Sequence, residues 1–425
     1  MQATINSGNI SGSLAAPPSK SATQRAFAGA LLHKGKTVIN NAGRSQDDVA
    51  ALGIIQSLGA TVVEHSNDVL EITSNGIAPT GPEINCHQSG LCARLFTPIA
   101  ALASCAITVK GEGSLLHRPM HGFNEVLPLL GVSVSAFNGF LPCTVQGPMQ
   151  PKSAMMNAES GSQFLSGLLF ALSSCAHEPL SIKVSGLKSK PYIDLTLDML
   201  KRFGKPIAHH DDKEFFIYPA LFTYTPTVTI DVEADWSSAA YLLVAGAIAC
   251  SITVSHLNID SAQADRAILD VLEQTGAHVL INTDGITVTK SRLRAFELDA
   301  THCPDLFPVL AILAACCDGE SEIKGLHRLF HKESNRAESI SEMLENFAVP
   351  FSLSDDSLFV TGVRKLQGTV IDSYHDHRIA MAAAIAALRA NSPVDIMHAE
   401  AVNKSYPGFF DDLISCGVKC TFIDD

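Results

Sequence analysis

Polar or basic residues open six runs of small apolar residues in this chain: Lys20, Ser21 and Arg25; Gly90 and Arg94; Ser162 and Gln163; Asp235, Ser237 and Ser238; Asp305; and Asp376, His377 and Arg378. A helix start leaves backbone N–H groups unpaired and carries the positive end of the helix dipole, so each of these points can hold an anion. Ser and Asp at such positions are equally ordinary N-caps, a reading that suits Asp235, Ser237 and Ser238. That reading fits Lys20, Arg25 and Arg378 poorly, because a cation in a first turn opposes the dipole unless an anion is close. A second cluster, HKESNRAESI, contains Lys332, Glu333 and Arg336; on a helix Lys332 and Arg336 share a face with Glu333 beside it. Arg118 in LHRPM and Lys404 in NKSYPGFF add cations in loop-like sequence.

Other chemistries lack support. GALLHKGKT has five residues between its glycines where a phosphate-binding P-loop needs four, and it follows a helix instead of preceding one. No GxGxxG follows a strand and no GxSxG elbow occurs, which leaves dinucleotide binding and serine hydrolysis without a motif. His375 and His377, or His209 and His210, have no third ligand at a recognisable spacing, so no metal site is expected. Eleven cysteines include no CxxC pair and read as buried free thiols.

The elements that must position these residues recur. An amphipathic helix ending in a small residue and followed by a strand start appears six times, closing at Gly59, Gly131, Gly204, Gly276, Ala348 and Gly417, at spacings of 72, 73, 72, 72 and 69 residues. Gly at a helix end is the usual left-handed C-cap, so each mark is a helix-to-strand exit. Between the marks lie the six runs already named, rich in Ala, Gly and Ser, which predicts helices buried on most sides and packed closely. The unit is strand, buried helix, strand, amphipathic helix, then strands, an α/β pattern of about 70 residues. Three units per domain predict an N-terminal domain over 14–227 and a C-terminal domain made of 1–13 and 228–425. The crossover is placed at Phe222–Ile230, and the first dozen residues complete the second domain as a strand.

Composition sets the bounds. A chain of 425 residues, 46% hydrophobic and 17% charged, is globular and long enough for two or three domains. With 30 Lys and Arg against 43 Asp and Glu, the net charge of −13 argues against a broad nucleic-acid footprint, so an anion must be held by local cations. There is no membrane-length apolar run, and MQATINSGNI lacks the pattern of a secretory signal. The expected compartment is the cytoplasm and the default state a monomer.

PSKSATQR, SQFLSGLL, SKPYIDLTLDMLKRFG, KESNR, DHRIAM and NKSYPGFFDDL together resemble the 5-enolpyruvylshikimate-3-phosphate synthase family of enolpyruvyl transferases, in order from Lys20 to Leu413. The resemblance implies an inside-out α/β barrel fold: two similar domains, each of three βαβαββ units around buried helices. It implies transfer of the enolpyruvyl group of phosphoenolpyruvate to shikimate 3-phosphate in the cleft between domains, with release of phosphate and no metal or organic cofactor. By motif, Lys20, Ser21 and Arg25 contact substrates. Ser162, Gln163, Ser189, Tyr192, Asp305 and Lys332 take shikimate 3-phosphate, and Lys20, Gly90, Arg118, Gln163, Arg336, Arg378 and Lys404 take phosphoenolpyruvate. Asp305 and Glu333, with Lys20, are the catalytic set, the two carboxylates moving protons. The resemblance makes the N-terminal domain mainly the shikimate 3-phosphate binder and gives the C-terminal domain the proton transfers and much of the phosphoenolpyruvate binding.

The chain departs from the family pattern in HQSGLCAR, where Gln88, Ser89, Leu91 and Cys92 are altered around Gly90 and Arg94, a change that bears on phosphoenolpyruvate and glyphosate affinity. It also departs at Gly161, at Arg328 and at Asn335. The alternatives are a sister transferase acting on UDP-N-acetylglucosamine, whose loop carries a cysteine that LLHRPMHG lacks, and a non-catalytic anion-binding relative.

Overall fold

The computed structural model describes residues 1–66, 68–136, 138–159, 161–219 and 226–424. The chain divides into a continuous unit, Pro18–Glu233, and a discontinuous unit, Met1–Pro17 with Ala234–Asp425. Each has its own hydrophobic core.

Six four-stranded sheets share one pattern in which the first two strands are parallel and the next two pairings antiparallel. In the continuous unit the sheet orders are Thr227–Asp231, Gly35–Asn40, Val69–Ser74, Thr61–Ser66; then Glu83–Asn85, Ala106–Lys110, Cys143–Gln146, Ser133–Ala136; then Ala154–Asn157, Leu180–Ser185, Glu214–Ile217, Ala208–His210. In the discontinuous unit they are Ser11–Ala15, Ser251–Ser255, Gly285–Thr289, His278–Asn282; then Glu297–Asp299, Glu320–Lys324, Ser357–Thr361, Phe351–Ser354; then Val370–Asp372, Val394–Met397, Gln2–Ile5, Cys420–Ile423. Gln2–Ile5 thus takes a place in the last sheet, and Ser11–Ala15 in the first sheet of the discontinuous unit. In four of the sheets the parallel pair is joined directly through a buried helix, as a parallel connection requires.

All six helix-exit residues are left-handed, with φ of 109° at Gly59, 75° at Gly131, 74° at Gly204, 78° at Gly276, 56° at Ala348 and 92° at Gly417. The next residue donates its N–H five positions back in every copy: Ala60 to Ile55, Val132 to Leu127, Lys205 to Leu200, Ala277 to Leu272, Val349 to Leu344 and Val418 to Leu413. These are Schellman closures, and they turn each amphipathic helix into the following strand. The buried helices are Lys20–Leu32, Gly90–Ala100 and Gln163–Cys175 in one unit, and Trp236–Ala249, Phe307–Ala315 and His377–Ala387 in the other. Every residue of the last three is buried. Small residues matter because backbones nearly touch: a Cβ on Gly167 would lie 2.4 Å from the Leu95 carbonyl oxygen, and one on Gly246 would lie 2.5 Å from that of Val288.

The division of the chain falls four and six residues beyond the expected 13/14 and 227/228 boundaries. The strand before each domain's first buried helix pairs in the other unit's sheet. Ser11–Ala15 runs parallel to Ser251–Ser255, with Leu14 opposite Val254, and Thr227–Asp231 runs parallel to Gly35–Asn40, with Val228 opposite Thr37. Of the expected crossover, residues 222–225 lie outside the described residues, and 227–231 form the strand just named. No helix among the described residues is long and apolar enough to cross a membrane.

Candidate active site

In the continuous unit, Ser19 caps helix Lys20–Leu32 by accepting from the Ala22 N–H, and Ser89 caps Gly90–Ala100 by accepting from the Cys92 N–H. Lys20 follows its cap directly, and its Nζ pairs with Asp47 Oδ2 at 2.9 Å, both side chains largely buried. Arg94 ties two helix starts together, donating to the Gly90 carbonyl and Gln163 Oε1 at 3.2 Å and to the Pro119 carbonyl at 3.0 Å. Arg118 is buried against the same helix start, so close that a Cβ at Gly90 would sit 2.5 Å from its Nη1. Only glycine lets that guanidinium approach the backbone there. Ser162 precedes helix Gln163–Cys175 without a side-chain cap bond, and Ser189, at φ 54°, opens the turn into helix Pro191–Arg202 that begins next to Tyr192.

Arg25, expected to contact substrate, is held in place by its own chain. Its Nε donates to Thr196 Oγ1 at 2.9 Å, its Nη1 to the Ser21 carbonyl at 2.9 Å, and its Nη2 to the Tyr192 carbonyl at 3.1 Å and Ser166 Oγ at 3.4 Å. It braces three helices, and burial pulls its guanidinium down to about 10.

In the discontinuous unit, Asp235 and Asp376 behave as N-caps, accepting from the Ser238 N–H at 2.7 Å and the Arg378 N–H at 2.9 Å. Asp376 does more, because its carboxylate also accepts from Arg336 Nε at 2.8 Å and Nη2 at 3.2 Å. Arg336 completes a three-carboxylate clamp with Nη1 on Asp305 Oδ1 and Nη2 on Glu333 Oε2, both at 2.7 Å. Asp305 also takes Lys332 Nζ at 3.1 Å and has Arg378 Nη2 at 3.7 Å. Lys332 and Arg336 do not share a helix face as expected. Residues 332–335 form a turn, Arg336 is the first helical residue, and the two cations meet at Asp305 instead.

Three carboxylates, Asp305, Glu333 and Asp376, therefore face three cations, Lys332, Arg336 and Arg378. Burial alone would raise the Asp305 carboxyl, but the charges of Lys332, Arg336 and Arg378 outweigh it and hold Asp305 well below its ordinary value. Burial lowers the Lys332 ammonium, partly offset by Asp305. Lys404 Nζ donates to the His375 carbonyl at 2.5 Å. Arg378 is the exception in this neutralised group: its Nε and Nη1 are buried and make no hydrogen bond within the chain. Buried donors without acceptors cost about 1–3 kcal/mol each, and a carboxylate or phosphate would satisfy this fork.

Four side chains that hold or adjoin the expected residues, three in the continuous unit and one in the discontinuous unit, carried no signal in the sequence. Asp47 reads as first-turn acid beside the Ser45–Asp48 capping box, yet it holds Lys20. Thr196 and Ser166 look like helix-interior residues but anchor Arg25. Asp265 is buried, accepts from Ser237 Oγ, and is pushed up to about 7 by burial and by Asp305.

The sequence profile of the family described as EPSP synthase (3-phosphoshikimate 1-carboxyvinyltransferase) matches residues 5–413. The 3-phosphoshikimate 1-carboxyvinyltransferase of Clostridium novyi (strain NT) is 34% identical over 417 residues, covering 96% of this chain and 95% of its own. That of Thermococcus kodakarensis is 36% identical over 404 residues, covering 95% and 97%. Among solved structures, EPSP synthase from Acinetobacter baumannii superposes with a TM-score of 0.82 at 24% identity, over 99% of this chain and 100% of its own. The enolpyruvyl transferase NikO from Streptomyces tendae does so with 0.77 at 17% identity, over 99% and 98%. At these identities the two structures speak to the fold.

Proposed function

Since this chain belongs to the EPSP synthase family, we propose that it transfers the carboxyvinyl group of phosphoenolpyruvate to the 5-hydroxyl of shikimate 3-phosphate and releases inorganic phosphate. The observation that carries the site assignment is Arg378, a buried guanidinium with two idle nitrogens beside an otherwise balanced cluster. It fits the carboxylate of phosphoenolpyruvate, with Arg336 and Lys404 close by on the same unit. Lys20, Gly90, Arg118 and Gln163 supply the remaining phosphoenolpyruvate contacts. Lys20, Ser21, Arg25, Ser162, Gln163, Ser189, Tyr192, Asp305 and Lys332 hold shikimate 3-phosphate, and Arg25 also braces three helices.

The reaction needs a base at the acceptor hydroxyl and an acid at the methylene carbon of the enol. The hydroxyl oxygen adds to C2 of phosphoenolpyruvate while a proton reaches C3, giving a tetrahedral intermediate that carries a methyl group, the carboxylate and the phosphate. Loss of a methyl proton and departure of phosphate restore the double bond in the product. Asp305 and Glu333 handle these protons, and Lys332, Arg336 and Arg378 stabilise the anions. In the free protein Asp305 is a weak base, because three cations surround it. Substrate phosphate and carboxylate draw those cations away, which raises its basicity when the hydroxyl arrives. Eleven free cysteines agree with a reducing compartment, and we place the enzyme in the cytoplasm as a monomer.

The test is phosphate release from phosphoenolpyruvate with shikimate 3-phosphate or UDP-N-acetylglucosamine as acceptor. Release that depends on shikimate 3-phosphate supports the proposal, and release with the nucleotide sugar alone overturns it.

A further inference from the structure

A separate group of side chains meets at the end of the last sheet. Strands Val370–Asp372 and Val394–Met397 run parallel and side by side, with Asp372 opposite Met397. Just past these coincident ends the chain turns through left-handed residues, Tyr374 and His375 at φ 53° and 54° after one strand and His398 at φ 55° after the other. The two imidazole rings lie 3.9 Å apart, centroid to centroid. Glu400 follows in the turn Ala399–Lys404 and sets its Oε1 3.9 Å from His375 Nδ1 and 4.0 Å from His398 Nδ1. Its other oxygen pairs with the Met1 amino group at 3.1 Å, which leaves Oε1 to the imidazoles. One donor atom from each of the three residues lies within 4.8 Å of the other two.

We propose that His375, His398 and Glu400 form a binding site for a divalent cation of the zinc class. Two imidazoles and one carboxylate suit zinc and its neighbours in preference to magnesium or calcium, which take oxygen-rich sets. Ligand bonds of about 2.0–2.2 Å at tetrahedral angles put donor atoms about 3.3 Å apart. The two carboxylate–imidazole separations exceed that by well under 1 Å, and all three donor pairs lie within 4.8 Å. The cation would clip two functional turns together. His375 precedes Asp376 and gives its carbonyl to Lys404, while His398 and Glu400 sit on the turn that ends at Lys404. In sequence the ligands fall 23 and 2 residues apart, which matches no metal motif.

The full chain, freed of metal and of any affinity tag, is titrated with zinc ion by calorimetry and with cobalt ion by visible absorption. His398→Asn, chosen because Asn tolerates the left-handed backbone, and Glu400→Gln are compared with His209→Asn as a control at the other histidine pair. The proposal expects one zinc ion per chain, a rise in melting temperature, and a low-coordinate cobalt spectrum. Affinity should fall at least about tenfold in both ligand variants and stay unchanged in His209→Asn. Metal-free phosphate release by His398→Asn should match the parent, which also shows that the variant is folded. No saturable binding, or binding that neither ligand variant weakens, overturns it.

Discussion

Replacing Asp305 by Asn should change catalysis and anion binding in opposite directions. Asp305 is the negative centre for Lys332 at 3.1 Å, Arg336 at 2.7 Å and Arg378 at 3.7 Å. Removing its charge leaves Arg336 on Glu333 and Asp376, and leaves Lys332 and Arg378 without their nearest carboxylate. At an effective dielectric constant of about 20, one unit charge about 4 Å from another contributes about 4 kcal/mol. Solvent and the hydrogen bonds that the amide retains reduce this, so a non-reactive phosphoenolpyruvate mimic should bind about tenfold tighter, about 1.4 kcal/mol. Turnover should fall by about 100-fold or more, about 2.7 kcal/mol on the barrier, because a proton-transfer group is gone. Steady-state phosphate release and equilibrium binding of the mimic at pH 7 measure the two effects. The sign with pH also follows. A carboxyl depressed in the fold stabilises it above its unfolded value of about 3.9 and loses that contribution as pH drops through the lower folded value. The stability difference between parent and variant should therefore shrink below about pH 4. Near-parental turnover, or weaker mimic binding together with lower turnover, would refute this reasoning.

Arg378→Ala should raise KM for phosphoenolpyruvate by at least about tenfold while moving the melting temperature little, since the lost side chain carries two buried donors that the free protein leaves unpaired; kinetics and calorimetry check both. Asp48 is pushed up to about 7 by burial, so its contribution to folding is present below about pH 4 and lost as pH rises to about 7. Asp48→Asn should accordingly match the parent at pH 4 and exceed it at pH 8 by about 1 kcal/mol or more, read from thermal unfolding at each pH. Ala348 is exposed and left-handed at φ 56°, so Ala348→Gly should stabilise the discontinuous unit by about 0.5–1 kcal/mol, seen as a higher melting temperature.

The sixfold repeat was legible because each helix exit needs the same backbone turn, and a small residue marks it even where Ala348 stands for Gly. The exchange of Ser11–Ala15 and Thr227–Asp231 was not, because both strands precede a buried helix with similar patterning and their partners are chosen by pairing across the chain. The site residues of the discontinuous unit were visible as charges at helix starts, but their grouping was misread where residues 332–335 turn instead of continuing a helix. Partners that hold a cation from another element, such as Asp47 on Lys20 and Asp376 on Arg336, leave no local mark. His375 was noticed, while His398 and Glu400 come to it only through the parallel register of two short strands.

In the proposed mechanism, acceptor addition and phosphate loss proceed through protonation and deprotonation of the methylene carbon, served by Asp305 and Glu333. Turnover in deuterium oxide followed by mass spectrometry of the product tests it most directly. Deuterium is expected in the product's vinyl methylene, because the intermediate's methyl group takes a solvent-derived proton before it gives one up. Product formed at full rate with no deuterium in that methylene would contradict it.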